Sequence, residues 1–300
     1  MTRKPKILFV CTGNRFRSLA AEKFFELFDE DNAFDVVSAG TRGKPHEINE
    51  TVVKSLEEYG VKVDNHVILP VSEELVYSSD VLVCMSLDHK TFIEDTYDVS
   101  CFLFKELVGD KGGVLDWHES LSNVDADSEE AKKYIKNTIH YLFKKTPMIY
   151  KFFHRRFFLF TQFLKGERHV NKAKFEILKE TKHSVLFTAI HNAVGSDFQV
   201  LAIPKKRYSY LHEVPSDELR DLMGLVQFAG ERIMKHYGSY NIWQNNGWDA
   251  NQQFYHVHFH IMPRTNSDQI NVTTGDWALS SLEEFNEMND KAKKVLFNDL

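Results

Sequence analysis

The sequence predicts two domains of different fold class, an α/β domain with a parallel sheet followed by an α+β domain with a mostly antiparallel sheet. At 300 residues the chain is too long for one typical hydrophobic core and suits two domains of about 150 residues each. Short apolar runs alternate with amphipathic stretches in the first half, whereas strand-like segments prevail in the second. We place the domains at residues 1–147 and 157–300, joined by a linker or interdomain helix at residues 148–156.

The first domain is expected to alternate strands with helices. Its strand segments include fully apolar runs, as buried parallel strands do, and apolar side chains recur at helical spacing after Ser18. Gly60 and Pro147 should each end a helix. The expected strands are Ile7–Cys11, Val36–Ser38 and Val81–Met85, and the expected helices are Ser18–Phe28, Asn49–Tyr59 and Glu129–Lys145.

From Phe157 onward the sequence changes to a succession of strand-like segments. No internal repeat relates the two halves, so we expect two different domains. The expected strands are Phe175–Leu178, Val185–Ala189, Gln199–Ile203 and Gln253–Met262, and one long helix is expected near Ser216–His236.

Composition and charge exclude several classes of protein. Hydrophobic residues make up 43% of the chain and charged residues 27%, which is typical of globular domains. The net charge is −6, which gives little sign of the basic surface that nucleic-acid binding needs, so a nucleic-acid partner is not expected. No apolar segment reaches the length of a membrane span. Three cysteines without an export signal favour free thiols and a cytoplasmic location.

The segment from Cys11 to Ser18 lies on the expected turn between the first strand and the first helix. Backbone N–H groups and the helix dipole converge there, which binds phosphate and favours the thiolate form of Cys11. Arg17 can hold two phosphoryl oxygens through its planar guanidinium, and Ser18 can donate a hydrogen bond to the thiolate. This setting predicts a phosphate-binding loop with a cysteine nucleophile; the alternative is an inert, buried cysteine.

The loop sequence CTGNRFRS resembles the signature of the low-molecular-weight protein tyrosine phosphatases. Ser38–Thr41 and Asp80–Met85 match two further segments of that family, so the resemblance covers about residues 5–146. It implies a flavodoxin-like, three-layer fold and a Cys-dependent phosphomonoesterase activity on substrates such as phosphotyrosine proteins.

By this resemblance Cys11 attacks phosphorus, and Arg17 holds the phosphoryl oxygens together with the loop residues Gly13 and Asn14. The resemblance also implies that Asp116 protonates the leaving oxygen. An aromatic residue follows this aspartate here, where the family usually has proline.

Two departures from the family pattern leave the substrate open. Phe16 replaces the second loop cysteine, and no aromatic residue for stacking on phosphotyrosine is obvious in Arg42–His46. Arsenate reductases share this fold and loop, so arsenate reduction is an alternative. Such enzymes need further cysteines, and the only candidates are Cys84 and Cys101, 17 residues apart.

His256, His258 and His260, called here the histidine row, alternate with Val257 and other apolar residues. A side-chain period of two places the three imidazoles on one face of a strand and the apolar residues on the other. The outer pair lies about 13 Å apart along a strand, so the row cannot bind one metal ion without a bulge. No metal is therefore expected, and a purely structural row is the alternative.

The residues around the row resemble the histidine triad (HIT) superfamily, over roughly residues 157–266. Asn245, Gly247 and Gln252 precede the row at the family's spacing, and Pro263-Arg264 follows it. The resemblance implies an antiparallel HIT-like sheet with helices and a homodimer formed through this domain.

In that superfamily the middle histidine attacks the α-phosphate of a nucleotide conjugate, which makes His258 the nucleophile. His256 and His260 would orient it and contact phosphate oxygens. A neutral His258 requires its other ring nitrogen to donate to a fixed acceptor, for which a backbone carbonyl is expected.

Four further residues are expected to bind the nucleotide. Asn245 and Gln252 would hydrogen-bond the phosphate region. Gln253 stands where a small Ser or Thr commonly assists the leaving group, and His191 stands roughly where an Asp usually holds the ribose hydroxyls.

Both nucleophiles and their immediate supports are present, which favours a bifunctional hydrolase. Its expected substrates are a phosphate monoester and a nucleotide conjugate, such as a phosphoramidate or a dinucleoside polyphosphate, with hydrolysis or nucleotidyl transfer as the second reaction. No cofactor is expected. The alternative from another class is that one half is a binding or regulatory module that senses phosphate or nucleotide without turnover.

Overall fold

A computed structural model describes residues 3–43, 47–121, 124–125, 127–166, 176–268, 270 and 277–297. The chain divides into two compact units, residues 3–154 and residues 155–300, each with its own sheet. Among the described residues, no helix combines the length and the apolar character that crossing a membrane requires.

The first unit is built on a sheet of four parallel strands in the order β2-β1-β3-β4. The strands are β1 (Lys6–Cys11), β2 (Asp35–Gly40), β3 (Val81–Cys84) and β4 (Phe102–Leu103), and the helices are α1 (Arg17–Phe28), α2 (Glu50–Glu57), α3 (Glu73–Ser78), α4 (Leu87–Tyr97), α5 (Phe104–Leu107), α6 (Trp117–Ser120) and α7 (Glu129–Leu164).

Helices cover both faces of this sheet. On one face Phe9 of β1 lies 5.9 Å from Phe25 of α1, measured between ring centroids. On the other face Val10 belongs to a buried cluster with Val76 of α3 and Ile93 of α4. The prediction of a parallel, three-layer α/β fold is thus confirmed. The strand order reverses at β1, and ligands bind at the carboxyl ends of parallel strands at such a point.

Helix α7 corrects the expectation that a helix would end at Pro147. The helix continues through Pro147 to Leu164, so residues 148–156 are helical and Phe157 does not begin a strand region. A proline inside a helix costs about 3 kcal/mol. Burial of Ile149 and Phe153, both fully buried, offsets this cost, since each such side chain stabilises by roughly 1.5–3 kcal/mol.

The second unit contains a five-stranded antiparallel sheet in the order β5-β6-β8-β10-β9 and a two-stranded pair, β7-β11. This confirms the predicted α+β class. The strands are β5 (Ile177–Glu180), β6 (Ser184–Thr188), β7 (His191–Ala193), β8 (Val200–Pro204), β9 (Tyr240–Trp243), β10 (Phe259–Pro263) and β11 (Trp277–Leu279), and the helices are α8 (Ser216–Tyr237) and α9 (Leu282–Phe297). Phe175, expected to open the first strand, lies outside the described residues.

Side chains of this sheet alternate between two separate apolar clusters, as strand geometry requires. Leu186 of β6 packs into the cluster of α8 and α9, together with Val257 and Ile261. Its neighbour Phe187 points to the other face and packs against Phe160 of α7, 5.8 Å away between ring centroids. Helix α7 therefore covers the face of the sheet opposite α8 and α9.

The strand expected over Gln253–Met262 is shorter than predicted, because β10 begins only at Phe259. The register of β10 against β8 would pair the preceding residues with Pro204, which has no N–H to donate. The Val257 N–H bonds instead to the carbonyl of Tyr208. Alternation nevertheless persists, since Val257 faces the α8 cluster while His256 and His258 lie on the opposite face.

Candidate active sites

The phosphate loop, residues 11–17, joins the end of β1 to the start of α1. Cys11 is buried with its sulfur 3.0 Å from the Ser18 hydroxyl oxygen. The Asn14 N–H donates to the same sulfur at 3.2 Å. Donors aimed at a sulfur stabilise its thiolate form, which is the nucleophilic form of cysteine.

Asn14 fixes the shape of the loop. It takes a left-handed backbone conformation (φ 55°), which asparagine tolerates better than most residues. Its side-chain oxygen accepts from the Leu69 N–H at 2.9 Å, and its amide nitrogen donates to Ser38 at 2.6 Å. Ser38 in turn donates to the buried carboxylate of Glu22. Asn14 therefore holds the loop to Leu69 and Ser38, in addition to the phosphate contact that the sequence predicts for it.

Gly40, at the end of β2, lies directly against the phosphate loop. A Cβ atom at this position would lie 2.7 Å from the Thr12 carbonyl oxygen and 3.0 Å from the Asn14 nitrogen. Both contacts are with backbone atoms, so no side chain larger than that of glycine fits here without moving the loop.

Arg17 is fully buried at the first position of α1. Its guanidinium donates to the Val114 carbonyl at 3.1 Å, and it forms ion pairs with Asp116 at 3.2 Å and Glu119 at 3.0 Å. The Nε–H has no partner among the described residues although it is buried. A buried N–H without a partner is costly, so this atom is suited to donate to a phosphoryl oxygen.

His89, which the sequence analysis did not identify, supports the phosphate loop through Thr12. The Ser86 N–H donates to His89 Nδ1 at 3.1 Å, so Nε2 carries the hydrogen and donates to the Thr12 hydroxyl oxygen at 2.8 Å. Burial first, and then the charge of Arg17, lower the pKa of His89 to about 4. Thr12 also accepts from Arg17 at 3.1 Å, which leaves its own hydroxyl hydrogen able to donate to a substrate.

Asp116, the expected acid, lies beside the loop in contact with Arg17. It precedes the short helix α6, and its carboxylate accepts from the Trp117 N–H at 2.8 Å. Glu119 is a second carboxylate on Arg17 that sequence reasoning missed. Burial raises the pKa of Glu119, but the Asp116 N–H and the Arg17 guanidinium outweigh burial and lower it overall.

Cys84 and Cys101 belong to an apolar cluster on one face of the sheet. Their sulfur atoms lie 3.4 Å apart. The hydrogen bond with Cys101 and burial raise the pKa of the Cys84 thiol well above its ordinary value. Neither sulfur is exposed, an arrangement unlike the accessible thiols that a redox relay requires.

Two arginine side chains have no hydrogen-bond or ion-pair partner in the described part of the chain: that of Arg15, within the phosphate loop, and that of Arg42, after β2. The Arg15 guanidinium extends over Gly13, where a Cβ atom would lie 3.2 Å from its Nε. The Arg42 N–H donates to the Thr12 carbonyl at 2.9 Å, which fixes its backbone next to the loop. Neither of these two guanidinium groups is therefore paired with a carboxylate among the described residues.

In the second unit, His258 has the geometry of a neutral nucleophile. Its Nδ1 donates to the His256 carbonyl at 2.7 Å, which leaves the lone pair on Nε2. This carbonyl is the fixed acceptor that the sequence analysis requires. Burial lowers the pKa of His258, although the hydrogen bond to the His256 carbonyl raises it again in part.

His256 lies elsewhere than expected. It is buried, and its Nε2 donates to the Pro204 carbonyl at 2.8 Å. Burial lowers its pKa to about 3, so the ring is neutral. One ring nitrogen of His256 binds a backbone carbonyl, and the residue does not line the cavity into which His258 and His260 reach. His256 is therefore placed to hold the backbone next to His258 rather than to contact phosphate oxygens.

His260 does reach the cavity, and two residues outside the expected set hold it. Gln199 Nε2 lies 2.8 Å from His260 Nδ1. The indole of Trp243 stacks on the imidazole with 4.7 Å between ring centroids and 6° between planes. Burial, and secondarily the charge of His258, lower the pKa of His260 well below its ordinary value.

Gln252 is also placed differently from the expectation. Its side-chain oxygen accepts from the Gly247 N–H at 2.7 Å, and its amide nitrogen donates to the Ser209 carbonyl at 2.7 Å. Because the amide is buried and bound to backbone at both ends, it shapes the loop rather than contacting phosphate. Asn245 donates to the Asn251 carbonyl at 3.3 Å.

The cavity beside the histidine row measures about 70 Å³. His191, His258 and His260 line it, whereas Asn245, Gln252 and the exposed Gln253 do not. The remaining walls are Arg155, Leu159, Phe160 and Phe163 of α7, with Ala189, Ile190, Gln199, Leu201 and Phe254. Sequence reasoning missed the α7 wall because it ended that helix at Pro147. No cluster of three metal-ligating side chains occurs in the described residues.

The comparisons with known proteins divide the chain in the same two parts. Residues 6–145 match the family model of the low molecular weight phosphotyrosine protein phosphatases, and residues 171–267 match that of the HIT domain.

Three relatives illustrate these matches. A protein-arginine-phosphatase of Bacillus subtilis is 38% identical over 117 residues, which are 37% of this chain and 77% of that protein. A HIT-like protein of Methanocaldococcus jannaschii is 34% identical over 110 residues, which are 36% of this chain and 84% of that protein. An adenosine 5'-monophosphoramidase of Schizosaccharomyces pombe is 38% identical over 93 residues, which are 30% of this chain and 65% of that protein.

Proposed function

Since the chain belongs to the low molecular weight phosphotyrosine protein phosphatase family over residues 6–145 and to the HIT domain family over residues 171–267, we propose that it is a bifunctional hydrolase. The first unit is a Cys-dependent phosphomonoesterase. The second is a His-dependent hydrolase of nucleotide phosphoramidates. Each reaction passes through its own covalent phospho-enzyme intermediate.

In the first unit the Cys11 thiolate attacks phosphorus, and the bond from phosphorus to the ester oxygen breaks. Asp116 gives its proton to that oxygen as it leaves. Arg17 and the loop N–H groups hold the equatorial oxygens and balance the charge that develops on them. Asp116 then takes a proton from the water that attacks the cysteinyl phosphate, which releases inorganic phosphate and restores the thiolate.

The observation that best supports this reaction is the arrangement around Arg17. Its buried Nε–H has no partner within the described part of the chain, and Asp116 lies 3.2 Å from its guanidinium. One arginine therefore links the proposed phosphate position to the proposed acid, which supports proton transfer from Asp116 to the leaving oxygen.

The charge of Arg15 and Arg42 supports one of two possible leaving groups. A phosphoarginine substrate would bring a guanidinium leaving group towards Arg15 and Arg42, which are both unpaired cations among the described residues. Like charges destabilise that encounter. We therefore propose a neutral or anionic alcohol or phenol as the leaving group, although one of the relatives is named a protein-arginine-phosphatase.

In the second unit His258 Nε2 attacks the α-phosphorus of the nucleotide, and the bond from phosphorus to nitrogen breaks. The amine takes a proton from solvent as it leaves. Water then attacks the phosphorus of the nucleotidyl-histidine, the bond from phosphorus to Nε2 breaks, and the proton lost by the water returns to solvent, which gives the nucleoside monophosphate and neutral His258. The observation that best supports this reaction is the hydrogen bond of 2.7 Å from His258 Nδ1 to the His256 carbonyl, because it presents a lone pair on Nε2 at the cavity.

The test uses the full chain and two substrates, para-nitrophenyl phosphate and adenosine 5'-phosphoramidate. Cys11→Ser should abolish hydrolysis of the ester and leave that of the phosphoramidate, and His258→Ala should do the reverse. Each variant thus serves as the folding control of the other, and His236→Ala, an exposed position at the end of α8, should change neither rate.

Other results would refute the proposal. If Cys11→Ser hydrolyses the ester as fast as the unmodified chain, the nucleophile of the first unit is wrongly assigned. If AMP binds to the second unit but the phosphoramidate is not turned over, that unit is a nucleotide-binding module rather than an enzyme.

A further inference from the structure

We propose that Glu119 is a positioning residue of the first unit, whose single carboxylate holds Arg17 for the phosphoryl group and Asp116 for the leaving oxygen. The inference rests on the proposed phosphatase reaction of this unit, and it adds a residue that takes no part in making or breaking bonds. Its basis is the set of hydrogen bonds that the two oxygens of Glu119 accept from these two residues.

Glu119 binds the end of the Arg17 guanidinium with both of its oxygens. Oε2 accepts from Nη1 at 3.0 Å, and Oε1 accepts from Nη2 at 3.4 Å. Two contacts of this kind fix the rotation of a planar guanidinium, whereas a single contact would let it turn. The buried Nε–H has no partner in the part of the chain that the structure describes. Glu119 therefore occupies the end of the guanidinium and leaves the edge with Nε for the substrate.

The same carboxylate fixes the backbone of the acid. Oε2 of Glu119 also accepts from the Asp116 N–H at 2.8 Å, so one oxygen joins the acid to the arginine. Glu119 lies in α6, which has only four residues. A helix this short is not stable without contacts beyond its own backbone. Without the Glu119 carboxylate, we therefore expect both the acid and the guanidinium to move more freely.

The charge of Glu119 distinguishes this role from simple support of the fold. Burial raises the pKa of Glu119, but the Asp116 N–H and Arg17 outweigh burial and lower it, so the carboxylate is ionised at neutral pH. Arg17 is fully buried, and Glu119 is only partly exposed, so water screens this ion pair incompletely. A carboxylate on Arg17 repels a phosphate dianion that binds the same guanidinium. Glu119 should therefore improve the positions of the reacting groups while it weakens the binding of phosphate.

Steady-state kinetics of the full chain test these opposite effects. The substrates are glycerol 2-phosphate, whose leaving group needs a proton, and para-nitrophenyl phosphate, whose leaving group needs little protonation. Glu119→Gln should lower the inhibition constant of inorganic phosphate about fivefold, because it removes the opposing charge. It should also lower kcat for glycerol 2-phosphate about tenfold, because the acid is no longer held in place. For para-nitrophenyl phosphate, kcat should fall by no more than about threefold, since only the orientation of Arg17 affects it.

Glu119→Asp separates the charge of the carboxylate from its reach. The shorter side chain keeps the charge but cannot reach both Arg17 and Asp116. The inhibition constant of phosphate should therefore stay near that of the unmodified chain, while kcat for glycerol 2-phosphate falls as in Glu119→Gln. Glu57→Gln, which removes an equal charge from an exposed position of α2, should change neither quantity. Thermal unfolding checks the fold of each variant, and if Glu119→Gln does not fold, the results for Glu119→Asp decide.

Two results would overturn the inference. If Glu119→Gln weakens phosphate inhibition and slows both esters by the same factor, Glu119 only supports the fold. If phosphate inhibition and both rates are unchanged, Glu119 positions neither Arg17 nor Asp116. Both results refute the role of Glu119 but leave the phosphatase activity of the unmodified chain in place. If the unmodified chain hydrolyses neither ester, the proposed function itself is wrong, and the inference fails with it.

Discussion

Replacing Gly40 with alanine should disable the phosphate loop without touching any residue proposed to do chemistry. The new methyl group would lie 2.7 Å from the Thr12 carbonyl oxygen, and ordinary contacts of this kind begin near 3.4 Å. Since the obstructing atoms are all backbone, the loop must move by about 0.7 Å. Displacements approaching 1 Å at a reacting centre cost on the order of 10²-fold in rate, so kcat/KM for para-nitrophenyl phosphate should fall by about that factor.

Gly13→Ala gives the matched comparison, because the added methyl group meets a different kind of atom. Its nearest neighbour is the Arg15 side chain at 3.2 Å, whose flexible end can turn away. The same chemical change inside the loop should therefore cost only a few-fold in kcat/KM. Gly224→Ala, with no atom within 4 Å, should leave the rate unchanged.

The assay has an internal reference, because the adenosine phosphoramidate activity of each variant reports on the second unit of the same molecule. Near-ultraviolet circular dichroism of the full chain, which has four tryptophans, checks that each variant is folded. A Gly40→Ala protein that is folded and hydrolyses the ester within threefold of the unmodified chain would show that the loop is not held rigidly against β2. Equal losses of kcat/KM for Gly40→Ala and Gly13→Ala would also refute the argument that backbone atoms resist the new methyl group more than the Arg15 side chain does.

Three other perturbations test separate parts of the two sites. Asp116→Asn should slow alkyl phosphate hydrolysis by roughly 10²-fold or more and aryl phosphate hydrolysis much less, because a phenol leaves without a proton; equal losses for both would count against its role as the acid. Gln252→Ala should lower the free energy of unfolding of the second unit by about 1–3 kcal/mol, since it leaves the Gly247 N–H unpaired, whereas the exposed Gln227→Ala should not; thermal unfolding checks this. His89 has a pKa of about 4 in the folded chain against 6.5 when unfolded, so the unfolded chain binds the extra proton between these values and stability falls as the pH drops below 6.5. By pH 5 the loss is about 2 kcal/mol, and His89→Gln should show a smaller fall in melting temperature between pH 7.5 and pH 5.

The parts of the fold that the sequence predicts are those determined by neighbours along the chain. The apolar runs of β1 and β3 and the helical spacing after Ser18 lead to the parallel sheet, and alternation around Val257 leads to the two faces of the second sheet. The predicted end of helix α7 at Pro147 is wrong for a physical reason. Pro147 is a local signal to stop, and burial of Ile149 and Phe153 outweighs it through contacts with residues distant in sequence, such as Phe102.

The residues of the candidate sites also divide into those that neighbours along the chain predict and those that they do not. Cys11, Arg17 and the histidine row lie within short motifs, so their spacing alone indicates their chemistry. Glu119 and His89 join the first site through contacts with distant segments, and Arg155 lines the cavity of the second unit; no local pattern marks these residues. Gln252 shows the limit of a motif, which predicts that a residue belongs to the site but not whether its amide faces the ligand or the backbone.

The long helix α7 has a consequence for anyone who would excise the second activity from its gene. The segment that matches the HIT domain begins at residue 171, yet Arg155, Leu159, Phe160 and Phe163 of the cavity wall all lie before it. A fragment started at that boundary would keep His258 and its carbonyl partner but lose one side of the cavity. If that fragment were inactive, the result would not test His258 as the nucleophile. A fragment that keeps the whole cavity has to begin upstream of residue 155, within helix α7 rather than between domains.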